Sequence, residues 1–319
     1  MYKKILITGG AGFIGSHLSE KIFFTFKNCK IHIIDKLNYA GNKSFIKSII
    51  KNKRVFFHKV DICDYSKMVK LTKNVDLAIN VAAESHVDRS FSNSFNFTKT
   101  NTYGAHVFFE ACKNNSVKKI IQVSTDEVYG EIKFGKHSEV DSLNPTNPYA
   151  GSKAAAEMIL NSYNKSFKTK ILTIRANNIY GEKQYPEKII PYSILSLMKN
   201  KKVEIHGNGE QKRCFLHVDD FVSGVILLIK KGNFGEIYNI GHVEEYKIID
   251  LVKIICKKMN KNKKIYIKFV KDRPFNDCRY YISSKKINKL GWKKNKKIEN
   301  EISNLIYWYK KNYKIFKKK

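Results

Sequence analysis

Lys4-Ile5-Leu6-Ile7-Thr8-Gly9-Gly10-Ala11-Gly12-Phe13-Ile14-Gly15 sets an apolar run directly before three spaced glycines. The run suits a strand covered on both faces. Glycines 9, 12 and 15 carry no side chain, so a backbone turn there can approach a pyrophosphate closely. The helix expected next offers free N–H groups and the positive end of its dipole. In a strand–loop–helix setting this is the Gly-x-x-Gly-x-x-Gly form of a dinucleotide loop. Asp35 closes the second apolar run, 20 residues after Gly15. A carboxylate at that point can bind both ribose hydroxyls and repel a 2′-phosphate, which favours NAD over NADP. Lys36 stands beside it in the candidate cofactor set. Asp61 and Ile62 follow the third run, where they either meet an adenine or simply end a strand.

Working outward, apolar runs and helical patterns alternate. Strands are expected at Lys4–Thr8, Ile31–Asp35, Val55–Val60, Leu77–Val81, Lys119–Ser124 and Ile171–Arg175. Helices are expected at Ile14–Phe26, Lys43–Lys51, Tyr65–Thr72, Phe95–Lys113 and Tyr149–Phe167. This alternation predicts an α/β fold with a doubly wound parallel sheet of the Rossmann kind. After Arg175 the pattern loosens into short strands (Val203–His206, Ile237–Asn239, Ile265–Phe269) and helices such as Val218–Lys230 and Ile248–Lys258. We therefore expect a cofactor domain over residues 1–175, with later segments interleaved. A smaller mixed α/β lobe over residues 176–319 should hold substrate.

With 319 residues, 43% of them hydrophobic, the chain can build a sizeable core. Its net charge of +32 raises a nucleic-acid or anionic-membrane reading. Only Arg54, Arg89, Arg175, Arg213, Arg273 and Arg279 are arginine, and lysine is spread along the chain, with a dense run at Lys317–Lys319. A dedicated phosphate-backbone reader should use more of the two-pronged guanidinium, so drift in composition is the favoured reading and no specific nucleic-acid partner is expected. Cys29, Cys63, Cys112, Cys214, Cys256 and Cys278 form no Cys-x-x-Cys pair, which points to buried reduced thiols and to no metal site. The first strand begins almost at the N-terminus, and the longest apolar run, Phe221–Ile229, is too short to span a bilayer. A cytoplasmic protein is the expectation.

Two motifs carry chemistry. Thr125-Asp126-Glu127-Val128-Tyr129-Gly130 puts adjacent carboxylates at the end of the fifth run. Tyr149 and Lys153, four residues apart, share a helix face. Beside a dinucleotide loop they form a proton-transfer couple: a nearby ammonium favours phenolate over phenol at Tyr149. Thr125 can share the hydrogen bond to the same substrate hydroxyl. Two acids in a dry pocket resist double ionisation, which keeps a proton on the pair. Strand geometry would point Asp126 and Glu127 to opposite faces, so the strand is expected to end before them.

Thr8–Gly15, Asp35–Asn42, Ala82–Ser90, Thr125–Gly130, Tyr149–Lys153, Tyr185–Pro191 and Asp272–Asp277 together resemble the extended short-chain dehydrogenases/reductases, and within them the nucleotide-sugar 4,6-dehydratases. The resemblance covers nearly the whole chain. It implies hydride transfer from sugar C4 to NAD, loss of water across C5 and C6, and hydride return to C6. It assigns Asp126 as the acid, Glu127 as the base, and Tyr149, Lys153 and Thr125 to the oxidation. It adds Phe13, Ile14 and Ala82 to the cofactor wall and gives Lys153 the nicotinamide ribose. For substrate it implies Arg213 on the diphosphate, Asn178 and Lys188 on sugar or phosphate, and Glu84, Ser85 and His86 near the sugar. Arg273, Asn276 and Arg279 fall in the loop that covers the nucleotide. A homodimer through Phe95–Lys113 and Tyr149–Phe167 is also implied.

The resemblance makes dTDP-glucose the first expectation for the substrate. The short Glu131–Asn147 segment, Cys214 in place of an aromatic, and the variant Gly241-His-Val-Glu stretch keep UDP-glucose open as the alternative. An epimerase or decarboxylase of the same superfamily is the nearest rival, and Asp126 argues against it. A basic nucleic-acid-binding protein on a Rossmann scaffold is the rival from another class.

Overall fold

The computed structural model describes residues 2–316; the Lys317–Lys319 run lies outside the described residues. From the N-terminus come β1 (Lys4–Thr8), α1 (Phe13–Thr25), β2 (Lys30–Ile34), β3 (Val55–His58), α2 (Tyr65–Thr72), β4 (Leu77–Asn80), α3 (Val87–Ser92), α4 (Ser94–Phe97), α5 (Ala105–Asn114), β5 (Lys119–Val123), α6 (Pro148–Ser166) and β6 (Ile171–Ala176). They are followed by β7 (Asn178–Tyr180), α7 (Ile189–Met198), β8 (Val203–His206), β9 (Lys212–His217), α8 (Val218–Lys231), β10 (Ile237–Ile240), β11 (Glu245–Lys247), α9 (Ile248–Lys258), α10 (Lys263–Tyr266), β12 (Ile267–Val270), α11 (Lys285–Lys289) and α12 (Ile298–Asn312).

Seven strands form one sheet in the order β10-β6-β5-β4-β1-β2-β3, with every pairing parallel. Side chains alternate across it, as strand geometry requires. Ile5, Ile7, Ile33, Ile79 and Ile121 pack on one face with Leu18 of α1 and Phe221 of α8. Leu6, Ile34, Ala78 and Ile120 pack on the other with Met68 of α2, Phe108 of α5 and Leu160 of α6. Each fully buried side chain of this size contributes about 1.5–3 kcal/mol. Chain order reverses between β1 and β4, and open parallel sheets bind ligands in the crevice beyond such a reversal.

A second core gathers Ile194 of α7, Phe215 of β9, Ile255 of α9 and Ile302 of α12. It supports a three-stranded sheet, β11-β9-β7, and a two-stranded one, β12-β8.

Three expected elements are shorter or broken. The helix expected over Lys43–Lys51 is a single 3-10 turn at Lys43–Ile46. The helix expected over Phe95–Lys113 is interrupted by a π turn at Thr98–Gly104. Within it Asn101 donates to Glu84 O and Ser152 Oγ, each at 2.9 Å. The strand expected from Ile265 starts at Ile267, because Asn262 caps a helical turn over Lys263–Tyr266. The cysteines are all free; Cys63 is half-buried and Cys278 exposed, contrary to the expectation of buried thiols.

Candidate active site

A cavity of about 380 Å³ opens at the chain reversal and runs toward the second core. At one end the glycine loop turns from β1 into α1. A methyl group on Gly15 would sit 2.0 Å from Gly9 O, so only glycine lets the loop close on itself. Asp35 holds the same loop: its carboxylate accepts from Ala11 N–H at 3.0 Å and Leu37 N–H at 2.8 Å. Gly9, Gly12, Phe13, Ile14, Gly15, Asp35, Lys36, Asp61, Ile62 and Ala82 all line this end. A narrow backbone cradle with a carboxylate at the second strand fits a dinucleotide.

The middle of the cavity is built from β5 and α6. β5 stops at Val123, and Thr125 caps a 3-10 turn over Asp126–Tyr129, accepting from Glu127 N–H at 3.3 Å. Extended geometry has ended before the acids, as expected, and both buried carboxylates line the same cavity. Asn147 caps α6, Pro148 starts it, and Tyr149 and Lys153 stand one turn apart on the cavity wall.

Burial, then the charge of Glu127, pushes Asp126 up to about 7, against a hydrogen bond from Asn177 and the positive charge of Arg213. Burial also raises Glu127, opposed by Lys188, Asn147 and Arg213. One carboxyl of the pair therefore keeps a proton near neutrality. Lys153 is lowered to about 8 by burial, and its ammonium donates to Val123 O at 2.7 Å. Tyr149 departs from the expectation of a phenolate. Burial and Glu127 push it above its ordinary range; the Thr125 hydroxyl works the other way, and Lys153 is committed to the Val123 carbonyl.

At the far end, Ser85, His86, Asn178, Lys188, Arg213, Arg273 and Asn276 line the wall. Lys188 donates to Ser85 O at 2.6 Å, and Arg273 pairs with Asp88 at 2.6 Å. Asn276 donates to Asp272 at 2.7 Å. Burial and the nearby Lys188 lower His86 to about 4, so its ring is neutral. Two expected site residues stand outside the wall. Glu84 accepts from Asn38 at 2.9 Å behind it, and Arg279 is clamped to Glu245 by hydrogen bonds of 2.6 and 2.9 Å. Among the described residues, no group of three or more His, Cys, Asp or Glu is placed to hold a metal ion.

Residues 6–305 match the model of the GDP-mannose 4,6 dehydratase family. The chain belongs to this family. Within it, the chain is 41% identical to human dTDP-D-glucose 4,6-dehydratase, with 98% of the chain and 91% of that protein covered. It is also 41% identical to a trifunctional UDP-glucose 4,6-dehydratase/epimerase/reductase of Arabidopsis thaliana, of which it spans about half the length (47%). The fold matches a dTDP-glucose 4,6-dehydratase from Streptomyces venezuelae crystallised with NAD, at a TM-score of 0.95 and 32% identity over 98% of both chains. A UDP-glucuronic acid 4-epimerase from Bacillus cereus, 28% identical over 97% of this chain and 99% of its own, gives 0.90, so the scaffold alone does not separate family chemistries.

The two cavity residues that hold the acids escaped the sequence reading: Asn147 and Asn177, which donate to Glu127 at 3.1 Å and Asp126 at 2.7 Å. Asn147 before Pro148 carried a helix-cap signal that would have placed it at the start of α6. Asn177 had no signal beyond standing next to Asn178.

Proposed function

We propose that the chain is an NAD-dependent nucleotide-sugar 4,6-dehydratase that converts dTDP-glucose to dTDP-4-keto-6-deoxyglucose and water. The observation that carries this reading is an acid pair, one member raised to about 7, in the same cavity as Tyr149 and Lys153. The relatives named dTDP-D-glucose 4,6-dehydratase, matched over nearly their whole length, support the choice of substrate.

The Gly9–Gly15 loop, Asp35 and the neighbouring wall would hold NAD, which when bound would supply the acceptor for the C4 hydride and its source for return to C6. Tyr149, with Thr125 beside it, would take the proton of the C4 hydroxyl as the ketone forms, the positive charge of a bound nicotinamide favouring the phenolate against the burial that otherwise raises it. Lys153 orients the ribose next to it. The C4 ketone acidifies the C5 proton, and Glu127 removes it. Hydroxide is a poor leaving group, so protonated Asp126 donates to the C6 oxygen and water departs. A proton then returns to C5, leaving the ketone at C4 and a methyl group at C6. Arg213 and Lys188 suit the diphosphate, and Asn178, Ser85 and His86 the sugar. In this reading residues 1–175, with β10 and α8 interleaved from later in the chain, hold the cofactor and the acid pair, and the second core holds most of the nucleotide.

UDP-glucose is the second reading, favoured by the equal identity to the plant UDP-glucose enzymes. Purified protein with dTDP-glucose and UDP-glucose side by side tests both. Keto-sugar formation from the first, with at least tenfold higher kcat/KM, is expected; turnover of neither contradicts the proposal.

A homodimer completes the proposal. Phe95, Tyr103, Met158 and Phe167, large apolar side chains on or beside α4–α6, are 86%, 53%, 62% and 53% exposed, and a second copy would cover them. Cytoplasmic residence and the lack of a specific nucleic-acid partner remain parts of the same proposal. Among the described residues, no helix is long and apolar enough to cross a membrane.

A further inference from the structure

Each acid of the pair meets one buried asparagine amide. Asn177 Nδ2 donates to Asp126 Oδ2 at 2.7 Å, and Asn147 Nδ2 donates to Glu127 Oε2 at 3.1 Å. Neither amide is free to turn over. His242 N–H donates to Asn177 Oδ1 at 2.8 Å, and Ala150 N–H donates to Asn147 Oδ1 at 2.9 Å. A backbone N–H can only donate, so each amide oxygen is fixed toward it and the NH2 group is fixed toward the carboxylate. Gly241 lets the His242 backbone come this close, because a methyl group there would sit 2.2 Å from Asn177 Oδ1. This gives a role to the variant Gly241-His-Val-Glu stretch, which the proposed mechanism leaves unused.

We propose that Asn147 and Asn177 are positioning residues that keep Glu127 Oε2 and Asp126 Oδ2 unprotonated, so that Asp126 Oδ1 and Glu127 Oε1 are the oxygens that give and take protons. An oxygen receiving an N–H cannot also carry a proton on that lone pair, and the donor stabilises the charged form. Asp126 Oδ1 faces the Thr125 hydroxyl at 3.3 Å, a group that donates or accepts as the proton requires. The remaining titratable groups around the pair come from other elements: Arg213 of β9 and Tyr149 of α6 act on both acids, Lys188 before α7 and Asp277 and Tyr280 after β12 on Glu127, and Cys214 of β9 on Asp126. None of these donates a hydrogen bond to either acid. Besides the asparagines, the Thr125 hydroxyl meets Asp126 Oδ1, but at 3.3 Å against 2.7 Å for the Asn177 amide, and a hydroxyl can turn to accept where an amide NH2 cannot.

The roles of acid and base here rest on the dehydratase reading; the hydrogen-bond assignment does not. Asn147→Ser and Asn177→Ser separate the two. Serine keeps an oxygen for the backbone N–H but is too short to reach the carboxylate, and it serves as a helix cap nearly as well as asparagine. A donor to a charged group is worth about 1.5–3 kcal/mol, so its loss should raise the carboxyl in question by about one to two pH units. In carboxyl 13C NMR titrations of the full chain, assigned with Asp126→Asn and Glu127→Gln, Asn177→Ser should raise only Asp126 and Asn147→Ser only Glu127. In the rate profile, Asn177→Ser should move the alkaline limb up, because the acid keeps its proton longer. Asn147→Ser should move the acid limb up, because the base loses its proton later. Folded variants with unshifted titrations overturn the proposal, and Asn147→Ser, with its cap preserved, decides alone if the other variant fails to fold. Titrations that shift in a protein that never turns over sugar nucleotide leave the asparagine assignment standing and sink the dehydratase reading instead.

Discussion

Asp126 holds a proton in the folded chain that it would release in the unfolded one. Its carboxyl rises from 3.8 to about 7, through burial first and Glu127 second. A folded-state value above the unfolded one means that stability is fully present below the unfolded value and falls as pH rises through about 7. The loss is on the order of a few kcal/mol. Asp126→Asn cannot ionise and should escape it. The variant is expected to melt above the wild type at pH 8, with the gap closing toward pH 4, while its kcat falls by about 10²–10⁴. A gap that does not change with pH would show that Asp126 ionises freely in the fold. Chemistry at this scale was partly legible in the sequence. Adjacent acids in an enclosed site must share protons, and that follows from their types alone. Which oxygen carries the proton does not, because it depends on Asn147 and Asn177, brought in from residues 20 and 51 positions away.

The element that fixes the cofactor end is the β1–α1 turn. Gly15 packs against Gly9 O so closely that Gly15→Ala cannot be accommodated without opening the loop. NAD binding, measured by calorimetry, is expected to weaken at least tenfold, and the melting temperature to drop. Unchanged affinity would mean that the dinucleotide does not rest on this turn. Elements of this kind were readable because their signals are local: apolar runs of β length and a glycine loop. Tyr65–Thr72, Val203–His206 and Ile248–Lys258 form over the residues expected. The π turn at Thr98–Gly104 left no local signal in the sequence; the contacts made within it, from Asn101 to Glu84 and Ser152, are long-range. Arg279 stands outside the cavity wall for a reason of the same kind. Its motif position is in order, but Glu245 on β11 captures the guanidinium.

At the scale of the whole molecule, one cavity joins the sheet crevice to the second core, and Arg273 ties the two sides together through Asp88. The exposed apolar surface of α4–α6 leads to an expected dimer of twice 37.0 kDa in sedimentation velocity at micromolar concentration. Met158→Lys should shift it toward monomer, and a wild-type monomer would remove this part of the proposal. The alternation of strand and helix made the parallel sheet legible, but not the return of β10 to its edge, since parallel pairing across a long connection leaves no local trace. The central claim is that a single chamber oxidises, dehydrates and reduces one sugar. Its most direct test is the product formed from dTDP-glucose deuterated at C4. Loss of water, with the deuterium found in the C6 methyl group, is the expected result. A product of unchanged mass, or deuterium released to solvent, would contradict it.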